Sequence, residues 1–226
     1  MKVLAINGSP RRGWNTEKLL KKALEGAASS GAETGLIQLY AEPFKGCVSC
    51  FACKRKNSRN GGLCSFRDAL TPILEQARQA GALIIGSPVY YDYPTAQARA
   101  FLERLLFPLD TYMVDNEGKR LRVLDTTLPS AMIYTMNCPD WYMEKVHYPT
   151  ILGANEAALA RLFGYCETLY SCDTYQFSDY GRYDCNMFDA EKKALQRETQ
   201  FPKDLEAAFA LGRRLAEMAQ ENAPPH

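Results

Sequence analysis

The sequence predicts an α/β fold: a five-stranded parallel sheet in the order 2-1-3-4-5, with helices on both faces. Three observations carry that prediction. Short apolar runs alternate with segments whose apolar residues recur at helical spacing, in the order β-α-β-α-β-α-β-α-β-α. The run Ala82-Leu83-Ile84-Ile85 is apolar throughout, as a parallel strand buried on both faces requires. Crossovers in such a sheet are right-handed, and this strand order leaves a ligand crevice beyond the carboxyl ends of strands 1 and 3. The 226 residues are expected to form one domain over 1–226.

Each element has its own signal. Residues 2–7 form a short apolar strand that runs into the turn-rich loop Gly8-Ser9-Pro10-Arg11-Arg12-Gly13. Asn15 or Thr16 can cap the helix that follows, whose stripe is Leu19, Leu20, Ala23 and Leu24 and which ends at Gly31. The second strand covers 34–40, and a cysteine-rich loop spans 43–65. A helix over 68–79 places Leu70, Ile73, Leu74 and Ala77 on one face. The third strand covers 81–87 and a loop 88–93, and Pro94 suits the first turn of a helix reaching 106. The fourth strand spans 130–136, a helix 149–163, the fifth strand 165–172 and the last helix 202–220. Two excursions, 110–128 and 173–188, have no place in that scheme; they are expected to cover the site or form a dimer contact. The tail from Glu221 reads as frayed.

Bulk composition narrows the function classes. Lys plus Arg total 27 against 26 Asp plus Glu, so a nucleic-acid binder with a basic face is not expected, nor a strongly acidic carrier. No apolar run approaches the ~20 residues of a membrane span. The start reads as a strand and not as a signal peptide, which predicts a cytoplasmic protein. Eight cysteines in that compartment point to metal ligands, reactive thiols or core residues more than to disulfides.

The loop after the first strand carries Ser9, Arg11, Arg12, Asn15 and Thr16. It stands at a helix N-terminus, where free N–H groups and the dipole favour an anion. It matches neither GxxxxGK[ST] nor GxGxxG, which argues against a nucleoside triphosphatase and a Rossmann dinucleotide site. What remains suits one terminal monophosphate; the plainer alternative is a capped helix with two solvated arginines. Gly8-Ser9-Pro10-Arg11-Arg12-Gly13-Trp14-Asn15-Thr16 resembles the GSPRxxGNT phosphate loop of the NADPH-dependent FMN reductase-like flavodoxins, with Trp14 interposed. Gly86-Ser87-Pro88-Val89-Tyr90-Tyr91, with Thr95-Ala96-Gln97 and the helix through Ala100-Phe101-Leu102-Glu103-Arg104, resembles the segment of that family that packs on the flavin. The resemblance covers about residues 1–170. It implies a three-layer flavodoxin-like fold, bound FMN, and ring contacts from Pro88, Val89, Tyr90 and Tyr91, with Thr135 and Met136 at the end of the fourth strand. It also implies self-association, as a homodimer or a higher homo-oligomer.

Cys47, Cys50 and Cys53 follow C-x2-C-x2-C, with Cys64 ten intervening residues on. This resembles the compact motif of the iron–sulfur flavoproteins, though there the fourth cysteine usually follows more closely. Three readings stay open: a [4Fe–4S] cluster, a zinc site crowded at its first three ligands, or free thiols. The basic insert 54–62 can receive an acidic redox partner or be a solvated loop. No Ser/His/Asp or Cys/His set has motif spacing, so no catalytic side chain is assigned. The expected activity is an FMN-dependent oxidoreductase passing electrons from NAD(P)H, or a ferredoxin-type donor, to a small-molecule acceptor. A carrier without its own substrate and a structural metal protein with a degenerate flavin site are the alternatives.

Overall fold

The computed structural model describes residues 1–56, 60–124 and 126–222. Asn57, Ser58 and Arg59 of the basic insert, Asp125 of the first excursion and the end of the tail lie outside the described residues. The principal elements are β1 (Lys2–Asn7), α1 (Asn15–Ser29), β2 (Glu33–Gln38), α2 (Thr71–Gln79), β3 (Ala82–Tyr90), β4 (Tyr93–Pro94) and α3 (Ala96–Leu106). They continue with β5 (Ser130–Thr135), α4 (Asp140–Lys145), α5 (Tyr148–Phe163), β6 (Cys166–Ser171), α6 (Ala190–Thr199) and α7 (Phe201–Glu221). The sheet order is β2-β1-β3-β5-β6, all parallel, so the long strands keep the expected 2-1-3-4-5 order. The two-residue β4 is additional and pairs antiparallel with the end of β3.

Alternation along the strands builds two cores. Val3, Ala5, Ala82, Ile84, Ala131 and Ile133 pack against α1 and α7. Leu4, Ile6, Leu83, Ile85, Met132 and Tyr134 point the other way, into α2, α3 and α5. Successive side chains alternate faces, so one register serves both layers.

Several boundaries differ from expectation for identifiable reasons. β3 continues past Ser87 because Pro88 pairs with Thr135, and Val89 and Tyr90 pair with Pro94 and Tyr93. Tyr91 and Asp92, both at positive φ, close that hairpin, so Pro94 lies in β4 and Thr95 caps α3 by accepting from the Ala98 N–H at 3.3 Å. Neither Asn15 nor Thr16 caps α1; both lie in its first turn, and the Glu17 carboxylate accepts the Gly13 N–H at 2.8 Å. α2 starts at Thr71 because the Asp68 side chain holds the Leu70 N–H at 3.0 Å in a turn. Helices α4 and α6 were not anticipated. The inward face of α6 is polar, Lys193 being its buried residue, so no apolar stripe announces it.

Helices α1 and α7 meet at glycine notches. A Cβ on Gly212 would lie 1.8 Å from the Ala23 carbonyl oxygen, and one on Gly26 1.9 Å from that of Phe209. Both obstacles are backbone and cannot yield cheaply. Gly212→Ala should cost about 3 kcal/mol by overpacking, lowering Tm by roughly 6–12 °C. Gly153→Ala, which meets nothing within 4 Å, should hold or raise Tm. Thermal melts of both variants check this; an unchanged Tm for Gly212→Ala would contradict the close helix approach.

Candidate functional site

The carboxyl ends of β1, β3 and β5 open on one cavity of about 310 Å³, within the range of small-molecule sites. One wall is the loop after β1. Its frame is tightly bonded: Gly8 N–H reaches the Gly86 carbonyl at 2.8 Å, and Thr95 Oγ1 donates to the Gly8 carbonyl at 2.6 Å. The Ser9 N–H is held by Asn7 Oδ1 at 3.0 Å. The first helical bond of α1 runs from the Lys18 N–H to the Trp14 carbonyl, which leaves the N–H groups of Asn15, Thr16 and Glu17 ahead of the ladder. Such a turn attracts an anion.

Arg11 stands over the Trp14 ring, 3.9 Å from its centroid, and donates Nη1 to the Gln176 carbonyl at 2.7 Å. Trp14, the residue interposed in the motif, therefore holds the arginine in place by cation–π contact. Thr16 Oγ1 and Thr135 Oγ1 lie 2.8 Å apart, tying the loop to the end of β5. The opposite wall is apolar: Pro88, Val89 and Tyr90 from β3, with Met136 beyond β5. Tyr91, at the hairpin tip, is 97% exposed and forms the rim.

Of the residues singled out in the sequence, Ser9, Arg11, Asn15, Thr16, Pro88, Val89, Tyr90, Tyr91, Thr135 and Met136 all line this cavity. Arg12 does not; it is exposed and its charge acts on Glu17. Trp14, Asn137, Thr174, Tyr175 and Gln176 also line the cavity, none of them assigned individually from the sequence, although the 173–188 excursion was expected to cover the site. The last three belong to the 173–188 excursion, which crosses the cavity on hydrogen bonds from Thr174 to the Met136 carbonyl and from Asn15 Nδ2 to the Tyr175 carbonyl at 2.9 Å. Its surplus of tyrosines was the available signal.

Trp14 Nε1 and Asn137 Oδ1, beside the cavity, are enclosed by protein and have no hydrogen-bond partner among the described residues. An anion-attracting turn facing an apolar wall fits a phosphorylated ring system such as FMN.

The four cysteines of the motif line a second, smaller pocket with Phe51, Phe66, Arg104 and Phe107. Ser49 and Phe51, at φ 52° and 54°, turn the chain on either side of Cys50. Arg104 is 1% exposed and anchors the loop through Asp68 at 2.5 Å and the Phe66 and Lys45 carbonyls at 2.6 and 3.1 Å. Lys54 donates to the Phe107 and Asp110 carbonyls. Burial pushes the Cys53 thiol up against the pull of Lys54. All eight cysteines are free. Among the described residues no three acid, histidine or cysteine groups converge tightly enough for a single metal ion. Four thiols are a donor set that zinc and a cuboidal cluster both accept. The remaining cysteines lie elsewhere; burial raises the Cys166 and Cys172 thiols to about 12. No helix among the described residues is long and apolar enough to cross a membrane.

The fold and crevice define a flavodoxin-like α/β protein. Its solved neighbours have that architecture: an NAD(P)H:quinone oxidoreductase from Methanothermobacter marburgensis matches with TM-score 0.66 and 16% identity, over 95% of this chain and 98% of that one. An azoreductase from Bacillus anthracis str. Sterne matches with TM-score 0.63 and 14% identity, over 95% and 99%. Residues 1–121 match the family model of NADPH-dependent FMN reductase, and the chain belongs to that family. Iron–sulfur flavoproteins of Methanocaldococcus jannaschii and Methanosarcina thermophila are each 36% identical over 104 residues, 46% of this chain. The match spans about half of each relative, 51% and 52%.

The Glu17 carboxylate that ties the loop to α1 is titratable. Burial opposes ionisation of Glu17, but the Lys21 ammonium at 2.7 Å and the Gly13 N–H hold its carboxyl below the ordinary value of 4.5. Its contribution to stability is thus complete above about pH 4.5 and lost as pH falls through the lower, folded-state value. The Tm difference between the wild type and Glu17→Gln should shrink as pH drops from about 6 to about 3; a constant difference would contradict the assignment.

Proposed function

We infer that the chain is an FMN-dependent oxidoreductase in which NAD(P)H reduces flavin held in the cavity at the ends of β1, β3 and β5. The carrying observation is the convergence of the β1–α1 turn, the β3 hairpin and the end of β5 on one cavity. Family membership supports both flavin and nicotinamide donor. Bound FMN supplies a centre that takes up a hydride and gives electrons singly or in pairs. The chain does the rest. Ser9, Thr16 and the first-turn N–H groups receive the phosphate, and Arg11 neutralises it with the donors not committed to Gln176. Pro88, Val89, Tyr90 and Met136 give the ring its wall and exclude water from that face. The Tyr90–Tyr91 rim leaves the other side open to a donor and then to a small acceptor, and is the surface through which copies would associate.

A second reading adds a cluster. Cys47, Cys50, Cys53 and Cys64 line one pocket over the buried Arg104 cation, and relatives sharing the N-terminal segment are named iron–sulfur flavoproteins. A [4Fe–4S] centre held there would let single electrons from a ferredoxin-type donor reach the flavin.

Anaerobic purification with an absorbance spectrum and counts of flavin and iron tests both. The expected protein is yellow-brown, with one FMN and about four irons per chain, and oxidises NAD(P)H with an added acceptor. Flavin without iron would remove the cluster, and absence of flavin even after FMN is added would remove the first reading. Arg11→Ala should weaken FMN binding roughly tenfold or more, as loss of a charge-assisted contact does; unchanged affinity in a fluorescence titration would count against the phosphate turn.

A further inference from the structure

Helix α6 lies outside the segment matched by the family model, yet one face of it reaches the start of α1, the loop after β5 and the 173–188 excursion. Lys193, Gln196 and Arg197 share that face by their i, i+3, i+4 spacing. Lys193 is 4% exposed; its Nζ donates to the Asn137 carbonyl at 2.7 Å and pairs with Asp173. Gln196 Nε2 reaches the Cys172 carbonyl at 3.3 Å. Arg197 Nη1 donates to Asn15 Oδ1 at 3.1 Å, and its guanidinium lies 3.9 Å over the Phe201 ring and 5.9 Å from that of Tyr175.

The consequence for Asn15 is specific. Its Oδ1 accepts from Arg197 and its Nδ2 donates to the Tyr175 carbonyl, so the two bonds fix which way its amide faces. The first turn of α1 presents its backbone N–H groups to the cavity with that residue locked. A charge is costly to bury unless it is paired and hydrogen-bonded, and Lys193 is both, with partners on the loops after β5 and β6, the first continuing from Met136 of the apolar wall.

We propose that Arg197 and Lys193 are positioning residues for the flavin: Arg197 fixes the phosphate end through Asn15, and Lys193 fixes the ring end through Asn137. This rests on the cavity being the FMN site. Because the two residues serve different ends, two ligands tell them apart. Riboflavin has the same ring as FMN and no phosphate.

The test is a fluorescence-quenching titration of the flavin-stripped full chain with FMN and with riboflavin, for the wild type, Asn15→Ala, Arg197→Ala, Arg197→Lys, Asn15→Ala/Arg197→Ala and Lys193→Met. Arg197→Ala should weaken FMN binding roughly tenfold and riboflavin by less than about twofold. Arg197→Lys, which keeps charge but not the fork, should recover part of the loss. The double variant should bind FMN no more weakly than Asn15→Ala, the signature of one shared interaction. Lys193→Met should weaken both flavins alike and shift the absorbance maximum of bound FMN. Equal losses for both flavins in Arg197→Ala would reduce that residue to packing and overturn its assignment, as would strict additivity of the double variant. An unmoved flavin spectrum in Lys193→Met would overturn the ring-end role. A wild type that binds neither flavin would instead overturn the flavin site itself.

Discussion

Everything at the candidate site follows from β1 lying between β2 and β3. The chain leaves β1 toward one face, into α1, and approaches β3 from α2 on the other. The connections of these neighbouring strands then diverge to opposite faces, and a crevice opens at the carboxyl ends of β1 and β3. The strand pairing that buries Val3, Ala5, Leu4 and Ile6 in two cores is thus also what exposes the start of α1. Packing and binding are one constraint seen from two ends.

That crevice is bounded by loops, and loops need ties. The tie between Thr16 and Thr135 joins elements 119 residues apart, and Arg11 stretches across to Gln176. Trp14 gives Arg11 a flat surface to rest on. The 173–188 excursion is tied to the β1–α1 turn by its Tyr175 and Gln176 carbonyls, and α6 holds that excursion down. A wall assembled from such distant segments can be stiff only if each junction is bonded, and the junctions here are.

The layered fold was legible because it rests on local signals. Apolar runs mark the parallel strands, and helical stripes at Leu19, Leu20, Ala23 and Leu24 or at Ile73, Leu74 and Ala77 mark the helices. The β1–α1 turn and the 88–91 segment were legible because their residue types suit a phosphate and a ring. Helix α6 was not, since its buried face is Lys193 and its purpose is polar contact with loops far away in sequence. The hairpin at Tyr91–Asp92 was missed for a related reason: two non-glycine residues at positive φ, 45° and 74°, give no turn signature. Asn15 and Thr16 carried a capping signal, but both lie inside the first turn and spend their side chains on tertiary bonds. The spacing of Cys47, Cys50, Cys53 and Cys64 proposed a common pocket without specifying what fills it.

The central claim is that the turn after β1 grips a phosphate while the β3 hairpin and Met136 flank a flat ring. A crystal structure of the chain with FMN measures this directly. The account predicts phosphate oxygens within hydrogen-bond distance of Ser9 and of the N–H groups of Thr16 and Glu17, with the ring against Val89 and Tyr90. Phosphate density anywhere else, or a ring lodged away from the ends of β1, β3 and β5, would contradict it.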